Sequence, residues 1–176
     1  MAKTKIEWAT HAWNPVTGCS PISEGCRNCY AERMSKRLAG RYGYPNDEPF
    51  RVTLHEDRLE EPLKWRKPRM VFVCSMGDLF HEDVGYSIVD IFDVMSATPQ
   101  HTYLLLTKRP EKMRSLFRLN GPLVGREPLP NVWLGVTAEN QEMADERIPI
   151  LLDIPAAVRF VSVEPMLGPV HLNQIN

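Results

Sequence analysis

Three thiols carry the most specific chemistry legible in this sequence. Cys19, Cys26 and Cys29 fall in the run Gly18-Cys19-Ser20-Pro21-Ile22-Ser23-Glu24-Gly25-Cys26-Arg27-Asn28-Cys29-Tyr30, a Cys-x6-Cys-x2-Cys spacing. Two cysteines separated by two residues can wrap one metal centre, because the turn between them brings backbone N–H groups toward the sulfurs. A third thiolate upstream closes on the same centre, and Gly18, Pro21 and Gly25 supply the turns that such a loop needs. Three ligands leave one coordination position open, which suits cofactor, substrate or water chemistry; a sealed structural site takes a fourth protein ligand. The competing reading is a structural zinc ion completed by Cys74, His11 or His81. Inert core thiols would have no packing reason for this spacing. Cys74, at the end of an apolar run, reads as a small buried hydrophobe outside the site.

A second set of polar residues recurs along the chain, each directly after an apolar run. Ser75, Gly77 and Asp78, with His81 and Glu82, follow Met70 to Cys74; Thr107, Lys108 and Arg109 follow Thr102 to Leu106. Thr137, Glu139 and Asn140 follow Val132 to Val136, and Glu164 with Pro165 follows Arg159 to Val163. The four runs are rich in β-branched and aromatic residues and lie about 30 residues apart, the length of one strand-helix-strand unit, so they are predicted to be parallel strands. The carboxyl ends of parallel strands share one edge, and these polar groups are therefore expected to converge on it. Polar residues also mark strand ends and helix caps without any chemistry, and Asn140 fits a helix N-cap. Lys108 and Arg109 suit an anionic group or a structural ion pair with nearby carboxylates.

The elements between these runs follow from periodicity. Val84, Ile88, Ile91, Phe92 and Met95 form one apolar helical face, and Pro110 starts a helix carrying Met113, Leu116 and Phe117. A third helix from about Asn140 carries Met143, Ile148, Leu151 and Leu152, with Pro149 expected to break or kink it. Tyr30 to Leu38 reads as a helix directly after the cysteine loop, and one helix is expected from Asp57 to Trp65 within the Gly- and Pro-rich stretch 40–69. Trp13 is expected to anchor the cysteine loop in the core, and Tyr30 to pack beside it. The whole is read as one domain over residues 1–176, with the cysteine loop and its helix over 13–39. A complete eight-unit barrel takes about 250 residues, so this α/β chain allows a partial (β/α) barrel of five or six units.

Composition restricts the rest. Twenty-one basic and 22 acidic side chains leave a formal net charge of −1, so no global field draws the chain to nucleic acid or to an anionic membrane. No apolar run approaches the roughly 20 residues of a bilayer span, and residues 1–8 lack a signal-peptide apolar core. Clustered cysteines favour metal or redox use in a reducing compartment, which reads as cytoplasmic. Lys64, Arg66, Lys67 and Arg69 around Trp65 could grip a phosphate backbone, but such a run is more often a solvated surface with a half-buried Trp.

The motifs carry a resemblance. Gly18-Cys19, then Cys26 to Ala31 and a basic helix, resemble the cluster loop of the radical S-adenosylmethionine (SAM) enzymes, particularly the spore photoproduct lyase type. Trp13-Asn14-Pro15 through Ala31, Ser75 to His81, Leu106 to Pro110, Asn131 to Thr137 and Val163 to Pro169 resemble an uncharacterised phage-associated family, the phage gene product thirty-seven / sixty-eight type. The usual radical SAM loop has three residues between its first two cysteines, whereas this one has six. Members of the phage family continue past the Glu-Pro segment, so the chain is expected to be truncated at its C-terminus. The radical SAM resemblance implies a partial (β/α) barrel with a four-iron four-sulfur (4Fe-4S) cluster on Cys19, Cys26 and Cys29, cleaving SAM reductively with an electron donor and an unknown substrate. It places Ser75, Gly77 and Asp78 near the SAM amine, and Lys108, Thr137, Glu139 and Glu164 toward its carboxylate, ribose or the substrate. The alternative is a zinc-stabilised binding protein of a phage or mobile element, without catalysis and with nucleic acid as a partner.

Overall fold

Val71, Val73, Tyr103, Leu105, Val132, Leu134 and Val136 alternate along three successive strands and are almost wholly buried. The computed structural model, which describes residues 2–4, 6–173 and 175, packs these side chains against helices on one face of a sheet. The strands are β1 (Ala2–Lys3), β2 (His11–Trp13), β5 (Met70–Val73), β6 (Thr102–Thr107), β7 (Val132–Thr137) and β8 (Val158–Ser162), in the order β1-β2-β5-β6-β7-β8. β1 is antiparallel to β2, and the other five strands are all parallel. Between β2 and β5 lie the two-stranded ribbon β3 (Val16–Thr17) and β4 (Thr53–Leu54), with α1 (Tyr30–Leu38) and the short α2 (Glu56–Leu59).

The last three crossovers carry α3 (Ser87–Ala97), α4 (Pro110–Phe117) and α5 (Gln141–Leu152). The parallel strands are added in chain order, so right-handed crossovers put these helices on a single face, as in part of a (β/α) barrel. The opposite face carries Phe72, Leu104, Trp133 and Phe160, with Trp8 lying 4.8 Å from the Phe72 ring and 6.3 Å from that of Phe160. Among the described residues no helix is long and apolar enough to cross a membrane.

The four expected strands form within one or two residues of their expected limits, and α1 spans Tyr30–Leu38 as read. Asn140 caps α5, its side-chain oxygen accepting the Met143 N–H at 2.9 Å. Three expectations change. Pro149 lies inside α5 and does not break it, because its missing N–H costs one bond near the helix end and the Pro149 carbonyl still accepts from Asp153 N–H. The helix expected from Asp57 to Trp65 divides into α2 and a 3-10 turn, Glu61–Lys64, where Pro62 cannot donate the bond that would join them. Tyr30 is 63% exposed rather than packed beside the cysteine loop. β2, the first parallel strand, has only three residues and too little pattern to be read from sequence.

Candidate functional site

The cysteine loop is tied to the sheet where the chain enters it. Trp13 is fully buried and its indole N–H donates to the Arg58 carbonyl at 2.8 Å, which fixes the chain entering the loop. Gly18 has φ +88 and lies so close to the 50–51 backbone that a Cβ would come within 2.2 Å of the Arg51 carbonyl oxygen. Only glycine accommodates both constraints. Gly18 also bridges Gly77 in parallel, and a Cβ on Gly77 would meet the Gly18 carbonyl at 2.6 Å. The Ser75 to Asp78 segment and the cysteine loop thus touch backbone to backbone.

Asp78 locks this arrangement. Its buried carboxylate accepts the Thr107 hydroxyl at 2.8 and 2.9 Å, the Phe80 N–H at 2.9 Å and the Lys108 N–H at 3.3 Å. Arg109 approaches the same carboxylate at 3.5 Å, and it also donates to Cys19 Sγ at 3.3 Å and to the Ser20 carbonyl and hydroxyl at 2.9 Å. Of the two sequence readings of this basic pair, the ion pair is the one observed for Arg109. The Ser20 hydroxyl in turn meets His81 Nε2 at 2.8 Å. With its oxygens taken up by protein donors, Asp78 acts in this arrangement as a strut joining the ends of β5 and β6.

Cys19, Cys26, Cys29, Cys74, Ser75, Gly77, Asp78, Thr107, Lys108, Arg109 and Thr137, with Phe50, Phe72 and Leu106 among the apolar lining, surround one cavity of about 150 Å³ at the carboxyl ends of β5, β6 and β7. Seven of the polar positions read from sequence, together with all three loop cysteines, therefore face a common space. The four cysteines are free thiols. Burial, with the Asp78 charge, pushes Cys19 up to about 11 against the pull of Arg109. For Cys26 burial is outweighed by backbone hydrogen bonds at Ile22 and Ser23, the Ser23 hydroxyl and the Lys108 charge, so its pKa lies below the ordinary thiol value. Complete burial sends Cys74 up to about 12, as suits an inert thiol.

The other two expected site residues stand apart. Glu139 is fully buried behind the loop, where it accepts from Arg147 at 2.8 Å and from the Ser23 hydroxyl. Burial raises its pKa, but the Ser23 bond, its own backbone N–H and the charges of Arg147 and Lys108 bring it below the usual carboxylate range. Glu164 is exposed and lines a separate space of about 490 Å³ with Trp8, Leu104, Trp133 and Phe160 on the open sheet face. Trp8 and Phe72 are the ring pair between the two spaces. An apolar cavity of about 400 Å³ on the helix side, lined by Phe92, Phe117 and Leu129 among others, shares no residue with either. No sequence signal marks Arg147 or Ser23, because their roles rest on contacts across 8 and 116 positions.

A tetrahedral zinc ion with Zn–S bonds of about 2.3 Å needs sulfurs about 3.8 Å apart. Among the described residues no three His, Cys, Asp or Glu side chains gather around a single-ion centre. Cys19, Cys26 and Cys29 instead line one shared space, and they are the residues there that could hold a metal centre.

The fold and the cavity together define an α/β protein with a thiol-lined site at the carboxyl edge of a parallel sheet. The chain belongs to a family described as a protein of unknown function (DUF5131), whose model matches residues 3–176. No curated protein and no solved structure matches it.

Proposed function

We propose that Cys19, Cys26 and Cys29 hold a 4Fe-4S cluster and that the chain is a radical SAM-like protein, of phage association, acting on an unidentified substrate. The supporting observation is the single cavity that unites the three thiols of the loop with Ser75, Lys108 and Thr137 at the ends of three parallel strands. The donor set fits: three thiols on one short loop leave a cluster iron without a protein ligand. When reduced by an external electron donor, such a cluster supplies the electron that cleaves a carbon–sulfur bond of SAM. This chain's own residues do the positioning. Arg109 donates to Cys19 Sγ and anchors Ser20, Asp78 fixes the strand ends, and Lys108 supplies a positive charge toward the carboxylate of a bound amino acid. The 490 Å³ space beyond Phe72 has the size of a small-molecule site.

Anaerobic purification with iron, sulfide and zinc analysis tests the reading. A brown protein carrying iron and sulfide, bleached by Cys26→Ala and still coloured in Cys74→Ala, is the expected result. A colourless protein with stoichiometric zinc would refute it. SAM that leaves the electron paramagnetic resonance signal of the reduced cluster unchanged would remove the catalytic half and leave a cluster-bearing scaffold.

A further inference from the structure

The helix that follows Cys29 concentrates positive charge that the rest of the chain does not balance locally. Residues 27–41 hold Arg27, Arg33, Lys36, Arg37 and Arg41 against Glu32 alone, a net +4 in a chain whose total is −1. Everything outside this segment therefore sums to −5. Arg27 pairs with Glu24, and Lys36 with Glu32. Among the described residues Arg33, Arg37 and Arg41 form no salt bridge; Arg37 reaches only the Met34 sulfur at 3.9 Å.

Arg33 and Arg37 share one face of α1, and Arg41 follows three residues beyond its end. Tyr30, Arg33, Met34 and Arg37 recur at i, i+3, i+4 and i+7 and line a shallow groove of about 170 Å³. The other side of α1 buries Ala31 and Ser35, so the basic face points away from the core. Arg33 and Arg37 are like charges four positions apart, a spacing that repels along a helix. Two aromatic rings flank the cations in solvent, Tyr30 at 63% and Tyr42 at 74% exposure. Guanidinium groups beside exposed aromatic faces match the recognition of single-stranded nucleic acid, in which phosphates meet arginines and unstacked bases lie on rings.

We infer that the Tyr30–Arg33–Arg37 face of α1, extended by the exposed Arg41 just beyond the helix, binds single-stranded nucleic acid. The inference is independent of the cluster, although the groove begins one residue from Cys29 and would bring a strand beside the thiol cavity. An anionic membrane fits less well. Interfacial helices bury several Trp, Phe or Leu side chains in the lipid, whereas α1 offers Tyr30 with half-buried Met34 and Leu38 beside its cations. The basic run at 64–69 is not the alternative site. Trp65 is only 4% exposed and the Arg69 guanidinium covers its ring at 4.6 Å, leaving no free face for a base.

Fluorescence anisotropy of a labelled mixed-sequence single-stranded oligonucleotide, with the full chain across a salt series, tests this. The triple variant Arg33→Ala, Arg37→Ala, Arg41→Ala is expected to bind more weakly and to lower the slope of log K against log salt by about 2, at roughly 0.7 per lost phosphate contact. Alanine favours the helix, so the variant should fold, and an unchanged circular dichroism spectrum checks it. Tyr30→Ala is expected to weaken binding by about fivefold to a hundredfold with the slope unchanged. Replacing Lys64, Arg66 and Lys67 by alanine should leave binding intact. Absence of binding, an unchanged slope in the triple variant, or tighter binding to phosphatidylserine vesicles than to the oligonucleotide would each overturn the assignment. The measurements use the full chain as purified anaerobically with its iron assayed alongside, so binding without iron sinks only the cluster reading, and iron without binding sinks only this one.

Discussion

Removing the Glu139 carboxylate should be among the most damaging single changes in the protein. Glu139 is 0% and Arg147 2% exposed, and their 2.8 Å contact satisfies both charges away from water. Arg147 keeps only the Thr137 carbonyl and the Met143 sulfur as other partners, and its Nε already has none. Glu139→Ala therefore strands a guanidinium in the core and deprives Ser23 of its acceptor, at a cost of about 3–5 kcal/mol. That is a fifth or more of the roughly 5–15 kcal/mol that holds an ordinary domain together. For a domain of this size it corresponds to a fall of about 6–20 °C in Tm.

Urea and thermal unfolding followed by circular dichroism measure the loss. The double variant Glu139→Gln, Arg147→Met removes both charges and should regain more than half of it, because replacing a buried pair is far less costly than orphaning one partner. The pH dependence has a definite sign. Glu139 is held below the usual carboxylate range, so its contribution is complete above that range and disappears as the pH falls through its lowered pKa. A loss below about 1 kcal/mol in Glu139→Ala, the worth of an exposed pair, would refute the reasoning.

Two further predictions concern stability. Burial, reinforced by the Arg58 charge, lowers His55 to about 4, where it is 5% exposed and bonded to the Thr17 hydroxyl at 2.8 Å. Its folded pKa lies below the unfolded value, so stability should be intact above about pH 6.5 and decline toward pH 4 by up to about 3 kcal/mol, a slope that His55→Gln should reduce in urea titrations at several pH values. An identical slope in that variant would remove His55 as the cause. Gly18→Ala places a Cβ on the 50–51 backbone at φ +88 and should cost at least about 3 kcal/mol or abolish soluble expression; wild-type Tm in that variant would contradict the packing described.

The sequence by itself determined the strand-helix alternation and the clustering of the thiols. Both are local: short apolar runs rich in β-branched and aromatic residues from Met70, Thr102, Val132 and Arg159 specify strands, Pro110 and Asn140 start helices, and three cysteines on eleven consecutive positions need no distant partner to be recognised. The common edge followed from parallel topology, and it brought Ser75, Gly77, Asp78, Lys108 and Thr137 to the thiols. Which polar residues remain free was decided only in three dimensions. Asp78 and Glu139 look alike in sequence as strand-end carboxylates, yet one is consumed by Thr107 and Arg109, the other by Arg147 and Ser23. Trp65 and Tyr30 each stand among basic residues, but packing against His101 and Arg69 hides the first ring and leaves the second in solvent. A side chain's availability depends on partners tens of residues away, and the spacing along the chain holds no record of them.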